Sequence, residues 1–68
     1  MEAQAREDLV RAGENAIAAA DWDTARACLQ RVLEAGENAD ALTGLSKVAM
    51  FEREYERAID LKERAFDL

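Results

Sequence analysis

The chain has 68 residues, a formal net charge of −6 at pH 7, one cysteine, no histidine and no proline. A single cysteine cannot form a disulfide within the chain, and without histidine the chain cannot complete a structural zinc site alone. Nine Lys and Arg residues stand against fifteen Asp and Glu residues, which argues against direct binding to nucleic acid or to an anionic membrane. The length allows one small domain, whose core is marginal unless another chain or a further segment completes it.

The sequence also lacks the marks of membrane insertion and secretion. It contains no run of about 18 apolar residues, which a transmembrane helix would need. The first residues, Met1–Asp8, have no basic region followed by an apolar core, so they do not resemble a secretory signal. A free cysteine without such a signal predicts a cytoplasmic protein. Ala, Leu, Glu and Arg dominate and β-branched residues are few, which predicts an all-α fold.

The first half of the chain carries two stretches with apolar residues at helical spacing, from Ala5 to Ala20 and from Trp22 to Leu33. Asp21 lies between them and suits a helix N-cap, where its carboxylate accepts a hydrogen bond from a free backbone N–H. We therefore predict one helix over about residues 3–19 and a second over about 22–35.

The second half allows two interpretations. Gly36 suits the end of the second helix, and Asn38 suits the N-cap of a third helix that carries the apolar positions from Leu42 to Phe51. The segment Glu52-Arg53-Glu54 contains no Gly, Pro or Asn, so local signals alone also permit one continuous helix over residues 39–67. Only an internal repeat favours a break.

That repeat appears when the sequence is aligned with itself at an offset of 33 residues. The identical pairs include Leu9 and Leu42, Ala16 and Ala49, Ala25 and Ala58, and Arg31 and Arg64. The offset also aligns Trp22 with Tyr55, each of which lies between two acidic residues. A period of this length with two helices per unit is typical of a helical solenoid.

These positions resemble the tetratricopeptide repeat family. The matching features are a small residue in helix A, an aromatic residue in the turn and a small residue in helix B: Gly13 and Ser46, Trp22 and Tyr55, and Ala25 and Ala58. The resemblance implies four helices in two stacked antiparallel hairpins within one domain, residues 1–68. The first repeat would cover about residues 6–38 and the second about 39–68.

In tetratricopeptide arrays helix A lines a concave surface that binds peptides, so the resemblance also implies a partner groove. The matching positions are Glu7, Val10, Glu14, Ile17, Asp40, Thr43, Lys47, Met50 and Phe51. A groove of mixed acidic and apolar character would suit a basic amphipathic segment of a protein or peptide partner.

The C-terminal half also offers a candidate assembly edge where a further repeat or a second chain would pack. The residues expected on this edge are Leu61, Phe66 and Leu68. Because two repeats fall short of the three that usually make a stable solenoid, we expect self-association into a homo-oligomer.

The sequence offers no catalytic residues, cofactor site or metal site. Without histidine, a nucleophile–base pair would have to combine serine with lysine, and the side chains of the adjacent Ser46 and Lys47 diverge on a helix. We therefore predict a non-enzymatic protein–protein interaction or scaffold module.

A second resemblance concerns the origin of the chain. The runs Ala25–Leu29, Asp40–Leu45 and Lys62–Leu68 are similar to the N-terminal helical-repeat region of some bacterial LuxR-type transcriptional regulators. This implies a fragment of a larger regulatory protein, whose DNA-binding part would lie elsewhere. The alternative is a self-associating helical bundle, formed by hairpin exchange or by merging of the third and fourth helices.

Overall fold

The computed structural model describes residues 2–68 and contains four α-helices. These are α1 (Ala3–Ala18), α2 (Trp22–Glu34), α3 (Ala39–Phe51) and α4 (Tyr55–Phe66). Helix α1 packs against α2 and α3 packs against α4, which forms two hairpins, and α3 also packs on α2 and α1. The described residues form no strand. The predicted all-α fold of four helices in two hairpins is therefore confirmed.

The turn between α1 and α2 follows the predicted signals. Asp21 is the N-cap of α2, and its side chain accepts a hydrogen bond of 3.3 Å from the backbone N–H of Thr24. Ala20 adopts a positive φ of 59°, and the Asp21 N–H donates to the carbonyl of Ala16 at 2.8 Å. This bond satisfies a carbonyl that the ending helix leaves without an intrahelical partner.

The same turn recurs between α3 and α4, so the continuous helix over 39–67 is wrong. Arg53 has a φ of 64°, and the Glu54 N–H donates to the carbonyl of Ala49 at 2.8 Å. Both features lie 33 positions after their counterparts at Ala20 and Asp21. The backbone thus repeats through the turn even though neither turn contains the glycine that usually ends a helix this way.

The core lies where α2 and α3 meet, with α1 and α4 on either side. The largest fully buried side chains are Leu29, Leu42, Val32 and Val48, which come from these two central helices. Asn38 caps α3 by accepting a hydrogen bond of 2.9 Å from the Ala41 N–H. Helix α3 contacts all three other helices, which explains why it buries more of its residues than they do.

Small residues allow the helices to approach closely at the predicted positions. A methyl group placed on Gly13 would lie 2.6 Å from Cδ2 of Leu29, and one on Gly44 would lie 2.7 Å from Cδ1 of the same side chain. Leu29 therefore fills the space between α1 and α3. In the second hairpin Ser46 is buried, and its hydroxyl donates to the carbonyl of Ala58 at 2.8 Å, which joins α3 to α4.

The orientation of α4 differs from the sequence prediction in one respect. Leu61, expected on an exposed assembly edge, is only 5% exposed and belongs to the core cluster with Leu29 and Leu42. The neighbouring Lys62 occupies the repeat position of Leu29, and a lysine ammonium is too costly to bury without a partner. Leu61 supplies the apolar side chain instead, so it is not available for assembly. Phe66 is 85% exposed and Leu68 is also exposed.

Two ion pairs connect elements that are distant in sequence. Arg26 of α2 bonds to Glu52, which follows α3, and the same guanidinium also contacts Asp23. Arg64 of α4 lies 2.8 Å from Glu37, which precedes α3. The hydrogen bond to Glu52, together with the charges of both carboxylates, raises the pKa of Arg26 above its ordinary value.

Candidate functional site

The predicted partner-groove residues concentrate between α1 and α3, where the two helices leave an open groove. One depression of about 350 Å³ lies toward the start of the two helices, and a second of about 300 Å³ lies next to it. Glu14 and Asp40 line both depressions, so the two are continuous. We call the residues that line either depression the α1–α3 groove.

The sequence prediction places most of this lining. The predicted residues found in the α1–α3 groove are Glu7, Val10, Glu14, Ile17, Asp40, Thr43 and Lys47. Val10 and Ile17 are half-buried and pack against the core, so they form its apolar part. The acidic side chains Glu7, Glu14 and Asp40 are exposed.

Two predicted groove residues lie elsewhere. Met50 lines a separate depression between α3 and α4, together with Ile59. Phe51 lines neither part of the α1–α3 groove; its ring stacks on Trp22, with centroids 4.6 Å apart and an angle of 14° between the planes. Trp22 is half-buried and packs against Ala16 and Val48, as expected for an aromatic residue that fills the gap at a helix start.

The groove is less acidic than the sequence predicted, because Arg6 and Arg11 also line it. Helical spacing indicated both residues: Arg6 lies four positions before Val10, and Arg11 lies four positions after Glu7. Arg11 also pairs with Asp8 at 3.8 Å on the exposed side of α1. Arginines lie at one end of the groove and Lys47 at the other, whereas Glu14 and Asp40 occupy the middle.

The arrangement of charges therefore gives the groove a local preference. Its centre presents two carboxylates from different helices, beside the apolar side chain of Ile17. Charges separated by more than about 8 Å are largely screened at physiological ionic strength, so a bound group responds mainly to the nearest side chains. A cationic side chain at the centre of a bound segment would be attracted, and acidic side chains would fit better at the ends.

Asn38 and Gly44 are further lining residues that the sequence prediction did not include. The side-chain oxygen of Asn38 is engaged as the N-cap of α3, so its role in the groove is mainly to fix the start of that helix. Gly44 leaves the space that Leu29 occupies beneath the groove. Both residues shape the groove by positioning α3.

Within residues 2–68, no group of three or more side chains is arranged to hold a metal ion. In the same part of the chain, no helix has the length and apolar character needed to cross a membrane. Comparison of the chain with models of known protein families, with curated proteins and with solved structures finds no match. The functional argument therefore depends on the geometry of the chain itself.

Proposed function

We propose that the chain is a non-enzymatic protein-interaction module that binds a segment of a partner protein in the α1–α3 groove. The observation that carries this proposal is the pairing of Glu14 and Asp40 across two helices, at the middle of a groove with apolar side chains. A segment with a basic residue at its centre and apolar residues beside it fits this arrangement.

The 33-residue repetition of turns supports an architecture of the tetratricopeptide type, in which such a groove would be a peptide-binding surface. The relation to that family and to LuxR-type regulators stays a prediction from the sequence. The proposed binding mode requires only the helix arrangement and the charges already described.

A peptide panel tests the proposal. Amphipathic helical peptides with basic or acidic charged faces, otherwise identical, would be titrated against the protein by fluorescence anisotropy. We expect the basic peptides to bind and the acidic ones to bind at least about tenfold more weakly, because like charges brought together at an interface cost several kcal/mol. Binding of only the acidic peptides by the unchanged protein and by Glu14→Lys alike would contradict the proposal.

Two charge-reversal variants place the binding site. Glu14→Lys should remove the preference for basic peptides, since the substitution puts a cation at the centre of the groove. Glu34→Lys is the matched control, because Glu34 is exposed at the end of α2 and does not line the groove. Equal loss of binding in both variants would show a response to net charge and not to the groove.

Self-association is a second candidate function, favoured by the exposure of Phe66 and Leu68 at the end of α4. Hairpin exchange remains the proposed route, since the separate α3 and α4 exclude the merged-helix route. Light scattering on a sizing column over a wide concentration range measures the mass. A mass of two chains that persists on dilution is expected for an obligate dimer, and the mass of one chain throughout would refute it.

A further inference from the structure

A second surface, between α3 and α4, has an apolar floor and a rim with two cations. This depression of about 350 Å³ is the α3–α4 face, and its lining includes Ser46, Lys47, Met50, Ala58, Ile59 and Lys62. Ser46 and Ala58 are buried and joined by their hydrogen bond, so the floor is fixed. Met50 and Ile59 are 55% and 57% exposed, which leaves two large apolar side chains in contact with water.

The internal repeat shows what shape of partner fits this face. The offset of 33 residues relates Gly13, Ile17, Ala25 and Leu29 to Ser46, Met50, Ala58 and Lys62. In the first hairpin this set is covered by α3: Leu29 has no exposed surface and Gly44 of α3 lies against it. An α-helix is therefore the element that covers the equivalent face of the first hairpin.

The charges of the two faces differ, and this difference selects the partner. Lys47 and Lys62 are the only lysines in the sequence, and both line the α3–α4 face. Their counterparts in the first hairpin are Glu14 and Leu29, an acidic and an apolar residue. Neither lysine forms an ion pair with any side chain of residues 2–68. A helix that covers the face would remove water from both ammonium groups, so it must supply carboxylates.

We propose that the α3–α4 face binds an acidic amphipathic α-helix of a partner protein. Its apolar side would pack on Met50 and Ile59, and its carboxylates would pair with Lys47 and Lys62. A second copy of the chain is disfavoured, because a symmetric contact through this face would bring four lysines together. This site is distinct in position and charge preference from the groove of the proposed function.

The first hairpin also indicates where the carboxylates of the partner helix should lie. Gly44 of α3 lies against Leu29, the counterpart of Lys62, and Lys47 lines the same depression as Glu14, the counterpart of Lys47 itself. A peptide of residues 38–51 with Gly44→Glu and Lys47→Glu would therefore present carboxylates to both lysines. The matched peptide carries Gly44→Lys and keeps the lysine at 47.

The experiment measures the binding of these two peptides to the whole chain by fluorescence anisotropy. Each peptide is held helical by a side-chain crosslink on its outer surface, because helices of this length are marginal in water. We expect the acidic peptide to bind about tenfold or more tightly than the basic one. Equal affinities, or no binding of either peptide, would overturn the proposal.

Protein variants distinguish this site from the α1–α3 groove. Lys62→Glu should reverse the peptide preference, and Arg31→Glu is the matched control because Arg31 is an exposed base on α2 outside this face. Lys62→Glu should leave binding of the central-basic peptides in the α1–α3 groove unchanged, so the two proposals fail independently. A preference for the acidic peptide that survives Lys62→Glu would overturn this assignment, as would a dimer that Ile59→Glu dissociates.

Discussion

Replacing Gly13 by alanine tests the close approach of α1 to α2. The added methyl group would lie 2.6 Å from Cδ2 and 2.7 Å from Cγ of Leu29. Leu29 cannot move away freely, because its Cδ1 atom is already 2.7 Å from the place of a methyl group on Gly44. The side chain is thus confined between two helices, and we expect the substitution to destabilise the fold.

Two opposing terms set the magnitude. Overpacking a core by one methyl group costs about 1–3 kcal/mol in the free energy of unfolding. Alanine in place of glycine within a helix returns about 0.5–1 kcal/mol through its higher helix propensity. The expected net loss for Gly13→Ala is therefore about 0–2 kcal/mol, whereas propensity alone would give a gain.

A double-mutant cycle with Leu29→Ala separates the two terms. Removing the leucine atoms beyond Cβ eliminates the overlap, so Gly13→Ala should then stabilise the protein by about 0.5–1 kcal/mol. The sign of the effect reverses between the two backgrounds, which corresponds to a coupling of about 1–3 kcal/mol. Such a reversal requires Leu29 to occupy the space beside Gly13.

The assay is urea denaturation followed by far-ultraviolet circular dichroism. Because Leu29→Ala alone should cost about 2–5 kcal/mol, all variants are measured in the same concentration of a stabilising osmolyte. Ala12→Gly, at an exposed position of α1, measures the alanine–glycine difference of this helix without the core contact. If Gly13→Ala stabilises both backgrounds equally, the reasoning about Leu29 is refuted.

Three further predictions concern the turns and the contacts between elements. Arg53→Gly and Ala20→Gly should each stabilise the fold by about 1 kcal/mol in urea denaturation, because a positive φ is strained for residues other than glycine; a loss at Arg53 would instead support one continuous helix. Arg26→Glu should lower the urea midpoint, and Arg26→Glu with Glu52→Arg should recover part of it; no recovery would show that the ion pair is not formed. Phe51→Ala should shift the tryptophan emission to longer wavelength, because the ring that stacks on the only tryptophan is removed; an unchanged spectrum would contradict the stacking.

The sequence predicted the first hairpin closely because its local signals agree with its packing. The predicted limits of about 3–19 and 22–35 compare with Ala3–Ala18 and Trp22–Glu34. Asp21 provides the expected cap, and the apolar spacing identifies the face that packs. Where cap, periodicity and burial indicate the same limits, a single sequence is sufficient to locate a helix.

The break between α3 and α4 could not be predicted from local signals, because its cause lies in tertiary packing. Arg53 adopts a left-handed conformation that costs a residue with a Cβ about 1–2 kcal/mol. The contacts of α3 with α4, including the bond from Ser46 to Ala58, require the chain to reverse there. Only the comparison with the turn at Ala20 indicated the break, since that turn also lacks glycine.

The candidate groove was predicted in part because helical phase identifies one face of each helix. It placed Glu14 and Asp40 together, although they are distant in sequence and belong to different helices. It did not fix where that face ends, so Phe51 was assigned to the groove although it stacks on Trp22. The limit of a face depends on how neighbouring helices cross, which one helix's periodicity does not contain.

The two hairpins share a backbone plan, and their differences in side-chain chemistry carry the functional argument. The turns at Ala20 and Arg53 have nearly the same φ and the same hydrogen bond to the preceding helix. If repetition served only to stack identical units, the counterpart of Leu29 would be apolar. Lys62 at that position makes stacking of a third identical unit unfavourable, since the ammonium would be buried against a helix without a carboxylate. The second hairpin therefore keeps the shape that receives a helix while its charge requires an acidic one.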